Sequence, residues 1–276
     1  MTLDDLVLHP TTKKFLDSYI ASPKQGTLIV GEKGMGLGTT AGVLATSVTT
    51  HPSNIMLVEP DEKGTISIER IRALYVETRS VRSERFVVVI DNAESMSSDA
   101  QNSFLKLLEE PVDNVYFVLT AHEPQALLAT ILSRVQTIEL VRISQVTSES
   151  LLRAHHVTDA TILQQMLFIA SGRPAELVRL ATDKEHFESE AAFVRLARDF
   201  LTAGAHHRLV IISRISGRED ALEFVATLAS VLKFTSERDH TAAAGAPADA
   251  LETVTARLLA NGHVRTQLMY LATHVV

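Results

Sequence analysis

The sequence predicts an α/β core built on a five-stranded parallel sheet, followed by an all-helical remainder. Three observations predict it. Five short apolar runs fall in the first half: TLIV (27–30), IMLVE (55–59), FVVVI (86–90), VYFVLT (115–120) and VQTIEL (135–140). Four are near-continuously apolar and rich in Val and Ile, as strands buried on both faces of a parallel sheet are. Helix-period segments lie between them, and strand–helix alternation implies right-handed crossovers. After about residue 142 the strand signal stops.

The elements follow in order. TLIV leads into GEKGMGLGTTAGVLA, a Gly-rich turn that opens a helix. SIERIRALYVETRS (67–80) has Ile68, Ile71, Leu74 and Tyr75 on one side. SSDAQNSFLKLLEE (97–110) is capped by Ser97 or Ser98, carries Ala100, Phe104, Leu107 and Leu108 as its inner stripe, and is stopped by Pro111. SQVTSESLLRAHHV, TDATILQQMLFIASG and RPAELVRLATD read as a small helical group. Longer amphipathic helices run from about 185 to 276, broken by RDHTAAAGAPADA (238–250), whose small residues read as a flexible loop. No internal repeat is visible.

Composition bounds the function. A chain of 276 residues is long enough for two or three domains. There is no Cys, which excludes disulfides and thiolate zinc sites. The segment MTLDDLVLHP has no basic stretch followed by an apolar one, and no apolar run approaches the ~18–20 residues of a membrane span. The expectation is a cytoplasmic protein with no membrane partner. A net charge of −7 argues against strong DNA binding by the chain alone. Arg70, Arg72, Arg79, Arg82 and Arg85 cluster loosely, and a solvated helix face and loop account for them.

The Gly-rich turn sits where a phosphate-binding loop sits, between strand and helix. Backbone N–H groups and the positive helix end cradle phosphate oxygens in such a turn. The spacing begins with Gly31, Gly34 and Gly36, and then both chemical positions fail: Leu37 stands at the Lys position and Gly38 at that of the metal-binding hydroxyl. Sliding the frame puts Thr39 at the Lys position, and Lys33 lies too early in the loop. The ammonium neutralises β- and γ-phosphates and the hydroxyl holds the metal, so their loss removes hydrolysis and weakens nucleotide binding. Asp91 ends the run FVVVI, where a metal-organising Asp is expected, and Asn92 follows it. No nucleotide cofactor or metal is therefore expected.

Residues 63–136 resemble the AAA+ core of the bacterial DNA polymerase III clamp loader, and residues 1–180 do so in outline. The pieces occur in the family's order. An I-x-x-I-R helix (Ile68 to Arg72) precedes the Asp91 strand, and D-x-A-x-x-M leads to A-x-N-x-x-L-K-x-L-E-E-P (Ala100 to Pro111). A sensor-1 strand ends in Thr120, and E-P-x-x-L-x-x-T-I-L-S-R (Glu123 to Arg134) follows. The resemblance implies a Glu at position 92, where Asn92 stands, and Glu94 is not assigned as its replacement. It implies a Ser-Arg-Cys triplet, here Ser133, Arg134 and Val135, whose Arg reaches a γ-phosphate on the adjacent subunit as an arginine finger. A chain that keeps the finger and lacks the P-loop Lys resembles the delta-prime kind of subunit, one that does not hydrolyse ATP itself. SGRPAELVRL (171–180) resembles the sensor-2 helix, with Glu176 or, in a shifted frame, Arg173 at its Arg position. LLANGHVRTQLMYLATHVV resembles the last collar helix.

The resemblance further implies an AAA+ core over 1–142, a helical lid over 143–184 and an oligomerising collar over 185–276. The partners implied are clamp-loader ATPase subunits and a delta-like subunit, with the sliding clamp and primer–template DNA met through the complex. The alternatives are an AAA+ ATPase whose atypical loop still binds or hydrolyses ATP, and a dinucleotide oxidoreductase. For the latter, the strict G-x-G-x-x-G spacing fails and no Tyr begins a Y-x-x-x-K pair. Arg134 has a bland alternative too, an ion pair with a carboxylate such as Glu123. His122, the pair His155–His156 and the pair His206–His207 lack metal-site spacing and read as surface or helix-end residues.

Overall fold

The computed structural model describes residues 1–49, 51–78, 84–110, 112–239 and 245–275. Arg79, Arg82 and Pro111 lie outside these residues, as does 240–244 of the expected loop. The chain forms two compact units, Met1–Thr182 and Asp183–Val276.

The first unit is organised by five parallel strands: β1 (Gly26–Val30), β2 (Ile55–Val58), β3 (Phe86–Ile90), β4 (Val115–Ala121) and β5 (Gln136–Glu139). Their order across the sheet is β2-β3-β4-β1-β5. The central run FVVVI is apolar throughout because both faces are covered. Phe86, Val88 and Ile90 join a cluster on one face, while Val87 and Val89 join the cluster on the other. The edge strands are less uniform. Leu57 of β2 is half exposed, and in β5 only Ile138 is buried. β4 runs one residue past Thr120, to Ala121.

Helices α1 (Pro10–Ala21) and α2 (Leu37–Val48) supply one covering layer through Leu16, Tyr19, Ala41 and Leu44. Helices α3 (Ile68–Thr78) and α4 (Ser98–Glu109) supply the other. The stripes are those the periodicity predicts: Ile71 and Leu74 of α3 and Ala100, Phe104 and Leu107 of α4 are buried, and Ile68, Tyr75 and Leu108 pack beside them. Ser97 is the cap of α4, its hydroxyl accepting from Ala100 N at 3.2 Å. The short α5 (Ala129–Leu132) connects towards β5. Then α6 (Gln145–Ala154), α7 (Ala160–Ala170) and α8 (Pro174–Thr182) form the helical group.

The second unit is helical among its described residues: α9 (Lys184–Thr202), α10 (Ala205–Ile212), α11 (Arg218–Asp239), α12 (Gly245–Leu259) and α13 (Val264–His274). Two sequence expectations change here. Residues 245–250, read as loop, begin α12: Pro247 falls in its first turn, where no N–H is required, and Ala250 is a core residue rather than a linker one. The stretch read as one last helix divides between the end of α12 and α13, because Asn261 turns left-handed (φ 63°) and Gly262 N closes back on Arg257 O at 2.7 Å.

Candidate functional site

The Gly-rich turn joins β1 to α2 with Gly34 and Gly36 both at φ 86°, a conformation open to glycine. Leu37, at the Lys position, does not face the turn's mouth. It is 3% exposed and packs with Ile29, Met35 and Ala41. An apolar side chain at that position gains more from the core than from water. Gly38 is exposed at the start of α2, and a Cβ there would lie 3.4 Å from Asp91 Oδ1. The hydroxyl position thus faces the expected acid, and glycine leaves it without an oxygen.

Asp91 follows β3 directly. Thr120 Oγ1 donates to Asp91 Oδ1 at 2.5 Å and accepts from Asn92 N at 2.9 Å. Thr120 therefore ties the two strand ends together. Asn92 is left-handed (φ 51°, ψ 57°), a conformation that Asn adopts more readily than most residues. Two residues that sequence reading set aside belong to this cluster. His122 Nδ1 lies 2.8 Å from Gly31 O, and His122 N donates to Glu94 Oε1 at 2.8 Å. These contacts span 91 and 28 residues of chain, and no local pattern announces them.

The helical group closes on the turn. Arg142 forks onto Glu32, with Nε to Oε1 at 3.0 Å and Nη2 to Oε2, while its Nη1 donates to Ser171 Oγ at 3.0 Å. Arg173 Nη1 donates to Lys33 O at 3.0 Å. Glu176 N, in the first turn of α8, donates to Gly34 O at 3.0 Å. Three consecutive turn residues, Glu32, Lys33 and Gly34, are thus latched to Arg142, Arg173 and Glu176. The approach is close: a Cβ on Gly34 would lie 2.9 Å from Glu176 Cβ, and one on Gly36 would lie 3.3 Å from Ala175 Cβ. Both candidates for the sensor-2 position, Arg173 and Glu176, are engaged in this latch.

Arg134 sits apart from these groups. It precedes β5, so it lies at the N-terminal end of the parallel sheet, whereas the Gly-rich turn lies at the C-terminal end. Its Nη2 contacts Glu109 Oε1 at 2.9 Å, and Nη1 donates to Thr130 O at 3.0 Å and Ser133 Oγ at 3.3 Å. The intrachain carboxylate is Glu109, at the end of α4, rather than Glu123. Both side chains remain partly exposed, 39% for Arg134 and 47% for Glu109. Ser133 donates to Thr130 O at 3.0 Å. Ser133 and Arg134 line an open groove with Lys24, Gly26, Leu107 and Gln136.

A parallel sheet in the order β2-β3-β4-β1-β5, a Gly-rich turn after β1, a paired Asp91–Thr120 across β3 and β4, and a helical group packed on the turn make up an AAA+-type fold. The fold agrees with solved structures. A DNA polymerase III gamma subunit-related protein of Thermotoga maritima superposes with a TM-score of 0.52 over 96% of this chain and 98% of its own, at 16% identity. The RuvB Holliday junction branch migration motor of the same organism gives 0.54 over 78% and 84%, at 13% identity. Residues 46–144 match the family model described as DNA polymerase III, delta subunit. The DNA polymerase III subunit delta′ of Bacillus subtilis is 33% identical over 148 residues, which are 53% of this chain and 44% of that one. The match therefore spans less than half the length of that relative. Over this part of its length the chain is similar to delta-prime-like clamp-loader proteins.

Proposed function

We propose that this chain is a non-hydrolysing clamp-loader subunit that supports sliding-clamp loading in DNA replication and supplies Arg134 in trans to a neighbouring ATPase subunit. The observation that carries the reading is the division of chemistry between the two ends of the sheet. At one end, the phosphate turn has Leu37 in the core, Gly38 in place of a hydroxyl and three residues latched to the helical group. At the other, an arginine stands partly exposed beside an open groove. A chain so arranged has little with which to neutralise a triphosphate of its own and a guanidinium free enough to meet another's.

In this reading, residues 1–142 form the AAA+ core, 143–184 the lid and 185–276 the collar through which the ring assembles. The partners are ATPase subunits and a delta-like subunit, with the clamp and primer–template DNA reached through the complex in the cytoplasm. Ser133 helps set the Arg134 rotamer. The second reading, an ATPase with an atypical loop, draws on one observation: the Asp91–Thr120 pair is intact.

The test is to reconstitute the complex with Arg134→Ala. Fingers in related systems contribute ~10³–10⁵ in rate at their own site. Only one of several ATP sites would face this subunit, so total turnover should fall by less, while folding and ring assembly persist. Unchanged DNA- and clamp-stimulated turnover in a fully assembled ring would rule out the finger role.

A further inference from the structure

The geometry points to Glu109 as a positioning residue for the Arg134 finger, an inference that rests on the trans role proposed above. A free arginine side chain spreads over many rotamers, and a finger is useful only when its fork is aimed before the neighbour's phosphate arrives. Here the fork is held from two elements. The C-terminal end of α4 brings the Glu109 carboxylate to Nη2 at 2.9 Å, and the short α5 brings Thr130 O to Nη1 at 3.0 Å. Gly26 lets the finger segment lie flat on the start of β1, since a Cβ there would meet Val135 Cγ1 at 3.1 Å, Leu108 Cδ2 at 3.2 Å and Arg134 O at 3.4 Å.

This arrangement restrains the side chain without consuming it. A guanidinium has five N–H donors, and these contacts leave at least two for an incoming anion. The pair is partly exposed, so it sits in the regime where an ion pair is weak and exchangeable. Glu109 can therefore orient Arg134 without locking it away from a phosphate, and its contribution should appear in the rate rather than in folding.

The experiment is a double-mutant cycle in the reconstituted complex, using Glu109→Gln, Arg134→Ala and the double variant, with ATP turnover measured against ATP concentration. Glu109→Gln keeps the shape and one acceptor and removes the charge. It should lower kcat at the site facing this subunit by up to about fivefold, the span of an exposed charge pair, and total kcat by less and by no more than Arg134→Ala does, with KM unchanged. Combined with Arg134→Ala it should add nothing, because its effect passes through Arg134. An additive loss in the double variant, an unchanged kcat, or a raised kcat for Glu109→Gln would overturn the positioning role. If Arg134→Ala itself leaves turnover intact, the finger reading fails as well. A loss with Arg134→Ala and none with Glu109→Gln overturns only the present inference.

Discussion

Leu37 shows how one position can carry two kinds of information. Its place in the loop spacing says that the ammonium is missing, which is legible in the sequence alone. That its side chain has become part of the core is not legible, because the partners Ile29, Met35 and Ala41 are set by the three-dimensional turn. The consequence is that restoring the lysine should not restore the site. Leu37→Lys would remove a 3%-exposed apolar side chain and bring an ammonium to its edge. We expect a loss of about 2–4 kcal/mol in denaturant unfolding and no gain in ATP binding by calorimetry. Arg134 shows the converse: the resemblance carried by Ser133 and Arg134 points to it, but its counter-ion is not legible in the sequence. Glu123, nearer in sequence, is passed over for Glu109, which the fold brings across from the end of α4. The contacts of His122 and Glu94 are not legible in the sequence for the same reason, since they are made between strand ends far apart in the chain.

At the scale of elements, the strands and amphipathic helices of the first unit were readable because burial on two faces, or on one stripe, writes a period into the sequence. Small residues mislead more easily. Ala and Gly around 245–250 resemble a linker in composition, yet Ala250 packs and Leu251 follows it into the core. Helix ends are a second source of silence. Arg208 of α10 is 8% exposed and donates to Phe200 O at 3.0 Å, Leu201 O at 3.2 Å, Ala272 O at 3.5 Å and Val275 O. It thereby satisfies carbonyls at the last turns of α9 and α13, groups that a helix cannot satisfy internally. Nothing in its sequence neighbourhood, AHHRLVII, marks it. Arg208→Met retains much of the stem and strips these acceptors of their donor. The second unit should lose about 2–4 kcal/mol, read as a lowered thermal midpoint, with little change in the core unit.

On the function proposed above, the whole molecule keeps an AAA+-type frame and leaves ATP turnover to its neighbours. The Leu37–Gly38 pair and Asn92 lie in two separate segments and point in the same direction, while the latch from Arg142, Arg173 and Glu176 packs the turn against the helical group. The Asp91–Thr120 pair ties the ends of β3 and β4 together. The most direct measurement is steady-state ATP turnover by the purified chain alone, with Asp91→Asn as its control. The expected result is no turnover above background in either protein. Turnover by the wild-type chain that disappears in Asp91→Asn would contradict it.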